Sequence, residues 1–132
     1  MEQHATRSFT FSGRLRSLRF ALRGLRVMLA TQRNAWIHAV ATVAVCAAGI
    51  ALRLGRGEWC WIVAAIIAVW TAEALNTALE LLCDVASPEF HPLVAKAKDV
   101  AAGAVLIAAL GAVVVGALVL GPPLLALFRP SP

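Results

Sequence analysis

Three long apolar blocks, residues 34–52, 58–84 and 99–120, divide this 132-residue chain. Each matches the hydrocarbon core of a bilayer, which a helix crosses with about 20 apolar residues. The chain is 61% hydrophobic and 14% charged, whereas about a quarter of the residues in a soluble domain carry charge. The expected fold is therefore all-α and integral to a membrane, with three transmembrane helices. No cleavable signal peptide is expected at the start, because residues 1–13 (MEQHATRSFTFSG) are polar and no small-residue cleavage site follows an apolar core.

The polar stretches set the remaining organisation. Residues 1–13 read as a flexible tail that contains His4, and residues 14–132 as one domain. Within RLRSLRFALRGLRVML (14–29), Leu15, Leu18, Leu22, Leu25 and Leu29 recur at helical spacing, and Arg16, Arg19, Arg23 and Arg26 follow on a neighbouring face. A helix with one apolar stripe and one arginine stripe lies in the membrane interface, where anionic headgroups are its natural partners. Nucleic acid would need the arginines on a soluble face with stacking aromatics; here they run straight into a span, which argues against it. RLGRG (53–57) reads as a tight turn, with Arg53 and Arg56 terminating the first span. Residues 85–98 read as a polar loop, and Pro122-Pro123 as the close of the third span.

Orientation follows the Lys and Arg count. The N-terminal segment and second loop carry nine, including Arg7, Lys96 and Lys98, against three (Arg53, Arg56, Arg129) on the other side. That asymmetry predicts a cytoplasmic N-terminus. Trp36, Trp59 and Trp61 sit near span ends, where indole prefers the interface. Cys46, Cys60 and Cys83 are too few and too widely spaced for zinc or a disulfide framework, and read as small hydrophobes. The third span is rich in alanine and glycine, which lets helices approach closely in lipid. Three helices make a thin bundle, so a homo-oligomer is expected.

Chemistry concentrates in WTAEALNTALELLCD (70–84). Glu73, Asn76, Glu80 and Asp84 are spaced three, four and four residues apart and share one helix stripe, with Thr77 beside it. An acid in the middle of a span costs about 2.5–3.5 kcal/mol on insertion scales, so this stripe must face a cavity, a cation or partner groups. Three roles compete: a structural polar contact, ion or proton conduction, and metal-dependent chemistry near the cytoplasmic surface. The neighbourhood favours the last. Glu89, His91, Lys96, Lys98 and Asp99 follow at the same interface, so carboxylates able to hold Mg²⁺ meet bases able to hold phosphate. No Gly-rich phosphate loop of the Walker type is present, so side chains would hold a nucleotide. His38, within the first span, reads as a hydrogen bonder in helix packing.

EALNTALELLCD (73–84) followed by SPEFHPLVAKAKDVAAGAVLIAA (87–109) resembles the prokaryotic diacylglycerol kinase / undecaprenol kinase family, over about residues 20–119. The resemblance implies a homotrimer in the bacterial cytoplasmic membrane, each protomer with a surface helix. It also implies Mg²⁺-dependent transfer of the γ-phosphoryl group of ATP to a lipid hydroxyl, in line and without a covalent enzyme intermediate. By position, Glu73 resembles the catalytic base, supported by Asn76, and Glu80 a metal ligand. Glu89 and His91 match a loop that touches nucleotide, Lys98 and Asp99 the pair near the ATP phosphates, and Asp84 a further acid. Arg14 or Arg16 matches a basic nucleotide contact on the surface helix. RNAWIH and SPEFHP look nearer to the undecaprenol-kinase branch.

Two positions depart from the family pattern. Where the family has a second metal-binding glutamate, eight residues after the glycine of Gly-Leu-Arg, this chain has Gln32, an amide that can coordinate but brings no charge. Trp36 stands where an arginine is common. The rival expectation from another class is a non-catalytic or ion-conducting bundle.

Overall fold

The computed structural model describes residues 11–128, which form four helices: α1 (Phe11–Thr31), α2 (Arg33–Ala51), α3 (Arg56–Ala86) and α4 (Pro92–Ala126). No strand occurs among the described residues. The expectations for most of the N-terminal tail, with His4 and Arg7, and for Arg129 fall outside them. Phe11, Ser12 and Gly13, assigned to the tail on sequence, are the first residues of α1. One internal glycine costs about 1 kcal/mol, too little to stop a helix that continues for five turns.

The last three helices, α2, α3 and α4, are each long and apolar enough to cross a membrane. At about 1.5 Å per residue, the 31 residues of α3 extend ~46 Å, well beyond the ~30 Å of hydrocarbon. The buried residues Ile62, Val69, Glu73, Asn76 and Thr77 lie on one face, which changes from apolar to polar along its length.

Helices α2 and α3 run antiparallel and meet at successive levels. Between α2 and α3 the pairs are Gly49 with Trp59, Thr42 with Trp70, His38 with Glu73, and Gln32 with Glu80. The core is small: Met28, Ala35, Ile62, Val69 and Val105 are its buried apolar residues. The leucines of α1 expected to form its apolar stripe stay outside it, with Leu15, Leu18, Leu22 and Leu25 all exposed. Gly103, Gly111, Gly116 and Gly121 in α4 have nothing within 4 Å of where a Cβ would stand. Small residues do not bring helices together at those points within the chain.

A single residue separates α1 from α2. The Gln32 N–H still closes on the Met28 carbonyl at 2.9 Å, but its backbone is extended, with φ −104° and ψ 117°. The turn after α2 is a Schellman motif: Leu54 N–H reaches the Gly49 carbonyl at 3.0 Å, and Arg53 N–H the Ile50 carbonyl at 3.1 Å. Its left-handed position is held by Arg53, at φ 54°, rather than by glycine. Gly49 is required here, because a Cβ would lie 3.0 Å from both Leu54 Cδ1 and the Trp59 ring. Gly55 N–H then donates to the Glu58 carboxylate at 2.6 Å, which satisfies a donor at the start of α3.

Two boundaries differ from the expectation. The polar loop is residues 87–91, not 85–98, so Lys96, Lys98 and Asp99 stand on the opening turns of α4. Pro92 is suited to a first helical turn, and His91 Nδ1 caps it by accepting the Leu93 N–H at 3.2 Å. At the other end, α4 continues through Pro122 and Pro123 to Ala126. Proline φ is itself helical, and Gly121 lacks the Cβ that normally keeps a pre-proline residue out of the α region.

Candidate functional site

The polar half of the α3 face opens onto a cavity of about 240 Å³, closed on one side by α2 and on the other by Ala102, Val105, Leu106 and Ala109 of α4. Spacing alone puts Glu73, Asn76 and Glu80 on this face; the break at Gln32 brings the fourth polar group. Because α1 stops there, the Gln32 side chain turns inward and its Nε2 donates to Glu80 Oε2 at 2.6 Å. Asn76 Nδ2 donates to Glu80 Oε1 at 3.2 Å, one turn along the same helix. Both oxygens of Glu80 are thus engaged by amides, while Asn76 Oδ1 is buried with no partner.

Glu73 is in a different condition. It is 1% exposed, and neither carboxylate oxygen accepts a hydrogen bond. Thr77 bonds only the Glu73 backbone carbonyl, at 2.8 Å. The nearest polar group across the helix interface is His38 Nε2, 3.9 Å from Glu73 Oε2 and likewise without a hydrogen-bond partner. His38, expected as a hydrogen bonder in helix packing, does face the neighbouring α3, but its Nε2 stands too far from the carboxylate for a hydrogen bond. Asn34 also lines the cavity. Asn34, His38 and Thr42 recur every four residues on α2, a polar stripe in the sequence that could have drawn attention to both.

The remaining candidates lie outside the cavity. Lys98 Nζ and Asp84 Oδ1 form an exposed ion pair at 2.6 Å, linking the starts and ends of α4 and α3. Glu89, His91 and Asp99 are exposed at the same end of the bundle. The structure thus joins Gln32, Asn76 and Glu80 directly, sets Glu73 beside His38 in the same cavity, and keeps Asp84 with Lys98 apart. No group of three or more His, Cys, Asp or Glu side chains close enough to hold a metal occurs among the described residues.

Beyond His38 the cavity meets an apolar groove of about 420 Å³ between α2, α3 and α4, and Ile37, His38 and Ala109 line both. A carboxylate site at one end of a hydrocarbon groove suits an amphiphile with one polar terminus.

The sequence profile described as prokaryotic diacylglycerol kinase matches residues 19–120. The chain belongs to that family. The match takes in α2, α3, most of α4 and every cavity residue named above. Among its relatives in this kinase family is a diacylglycerol kinase of Synechocystis sp., 44% identical over 112 residues, which are 84% of this chain and 64% of that one. An undecaprenol kinase of Bacillus subtilis is 38% identical over 102 residues, 77% of this chain and 83% of the relative. The matched part is thus just under two thirds of the Synechocystis protein's length.

Proposed function

We propose that the chain is a lipid kinase of the cytoplasmic membrane that transfers the γ-phosphoryl group of ATP to the hydroxyl of a lipid alcohol, diacylglycerol or undecaprenol. Membership of the family and the names of both relatives support the reaction class. The observation that carries it to these residues is the pair of carboxylates in one cavity, one free of hydrogen bonds and one held by two amides.

In this reading Glu73, buried and without a hydrogen-bond partner, takes the hydroxyl proton as the lipid oxygen attacks phosphorus. The new O–P bond forms as the bond to the ADP oxygen breaks, and the proton passes to the carboxyl group. Glu80, with the Gln32 amide and the unpartnered Asn76 Oδ1, makes an all-oxygen set once the Gln32 amide takes a half-turn. One carboxylate with substrate phosphates is a usual way to hold Mg²⁺, so these residues fit that ion. Bound there, Mg²⁺ would offset charge on the transferring phosphoryl group. Lys98 and Asp99, with Glu89 and His91 in the adjoining loop, supply the nucleotide's polar surroundings, and Arg14 or Arg16 a basic contact from α1.

In this reading the exposed leucines of α1 dip into the acyl boundary while its arginines meet anionic headgroups. The N-terminus and loop 87–91 face the cytoplasm, and three copies assemble into a trimer. The test is transfer of labelled phosphate from ATP in mixed micelles, with diacylglycerol and undecaprenol compared. Mg²⁺-dependent product with either lipid supports the reading. If no membrane alcohol is phosphorylated, the non-catalytic or ion-conducting bundle takes its place.

A further inference from the structure

Glu73 is 1% exposed, so a proton it accepts must pass to a neighbouring group before it can leave; the His38 side chain stands 3.9 Å away and shares the cavity with the polar Asn34 and Gln32 at the α1–α2 break. Each of the two groups carries buried polar atoms without a hydrogen-bond partner, an arrangement that normally has a functional explanation. The separation exceeds a hydrogen bond by less than 1 Å, within reach of a small side-chain rotation.

The surroundings leave His38 little else to do. It shares the cavity with two titratable groups, Glu73 and, farther along α3, Glu80; α4 contributes only Ala102, Val105, Leu106 and Ala109, and α2 adds Asn34. The apolar groove on its other side has no titratable lining residue besides His38 itself. Glu80 is already engaged by Gln32 and Asn76. The turn of α2 that carries His38 is pinned from both helices. Thr42 Oγ1 donates to the His38 carbonyl at 2.7 Å and accepts from Trp70 Nε1 of α3 at 3.1 Å.

We infer that His38 is a positioning residue for the phosphoryl-transfer step, receiving on Nε2 the proton that Glu73 takes from the lipid hydroxyl and passing it outward. The inference rests on the kinase reading of the site. The hydroxyl O–H bond breaks as the O–P bond forms and the P–O bond to ADP breaks. The proton moves to a Glu73 oxygen, then to His38 Nε2, while the imidazolium releases its Nδ1 proton outward, and proton exchange between the ring nitrogens restores the starting tautomer. Glu73 is thereby returned as a carboxylate for the next turnover.

The test uses the full chain in micelles containing the lipid that the wild type phosphorylates, with His38→Gln and His38→Ala variants. Glutamine keeps polarity and approximate length but cannot carry the proton. The relay predicts that kcat of His38→Gln falls about a hundredfold, the low end for a proton-transfer group, with KM for lipid and ATP little changed. It predicts a larger solvent deuterium isotope effect on kcat in both variants. Added imidazole should restore turnover of His38→Ala in proportion to its concentration, which loss of packing alone would not allow. An active wild type matched in rate by His38→Gln, or a His38→Ala variant that folds and ignores imidazole, overturns the relay and leaves the kinase reading standing. A wild type inactive on every lipid alcohol removes both. If His38→Ala does not fold, the rate and isotope effect of His38→Gln decide.

Discussion

Gln32 donates its side-chain amide to Glu80 across 2.6 Å, tying the break between α1 and α2 to the acid stripe of α3. That contact is made by an amide where the family pattern has a carboxylate, and it changes what the site needs at rest. A neutral donor satisfies Glu80 without a cation; two carboxylates at that distance would repel.

Replacing Gln32 by glutamate should reverse this balance. Gln32→Glu is expected to lower the thermal midpoint in the absence of Mg²⁺ and to recover it when Mg²⁺ is added. The Mg²⁺ concentration for half-maximal phosphorylation should fall about tenfold, the ratio that corresponds to ~1.4 kcal/mol. Thermal melts and activity across a Mg²⁺ titration check both. Identical curves for the two proteins would show position 32 to be irrelevant to the metal.

Glu73 carries a cost as well as a function. A buried polar group without a partner is unfavourable by about 1–3 kcal/mol, so Glu73→Leu should be more stable than the wild type by a comparable amount while losing phosphoryl transfer. Glu73→Gln should lose the same activity with the fold unchanged. Full activity in either variant removes Glu73 as the base.

The Asp84–Lys98 pair competes with the proposed role of Lys98 at the nucleotide phosphates. Asp84→Asn releases the ammonium and should lower KM for ATP severalfold, whereas Lys98→Ala should raise it. Because the pair is exposed and screened by solvent, stability should change little in either variant. ATP titrations and denaturation curves of the two variants separate these effects.

The turn between α2 and α3 makes a prediction independent of activity. A non-glycine residue in the left-handed region costs roughly 1–2 kcal/mol, so Arg53→Gly should stabilise the protein by about 1 kcal/mol. Gly49→Ala should destabilise it, because its Cβ would meet Leu54 and Trp59 at 3.0 Å. Denaturation of both variants in the same detergent gives the comparison, and a stabilising Gly49→Ala would contradict the packing described here.

Much of this was legible in the residues. Three spans follow from length and apolarity, and the shared face of Glu73, Asn76 and Glu80 follows from three- and four-residue spacing, whatever packs against it. The family resemblance covered about residues 20–119, and the profile match covers 19–120. Contacts between helices were not legible. Gln32 reaches Glu80 only because α1 ends one residue earlier, and His38 faces Glu73 only in the register that α2 adopts against α3. Asp84 could not be matched with Lys98 while residues 85–98 were read as loop; the pair forms because α4 begins at Pro92. Pro122 and Pro123 signal a stop by their lost donors, yet their φ is compatible with a helix, and α4 runs through both.

The one-residue gap at Gln32 has a mechanical consequence. The same residue is the joint between the arginine-rich helix and the first span and the donor that occupies Glu80. A change in tilt between those two rods therefore pulls on an amide inside the cavity. The angle at which the outer helix rests is linked by leverage, through one side chain, to whether the carboxylate it touches is occupied or free.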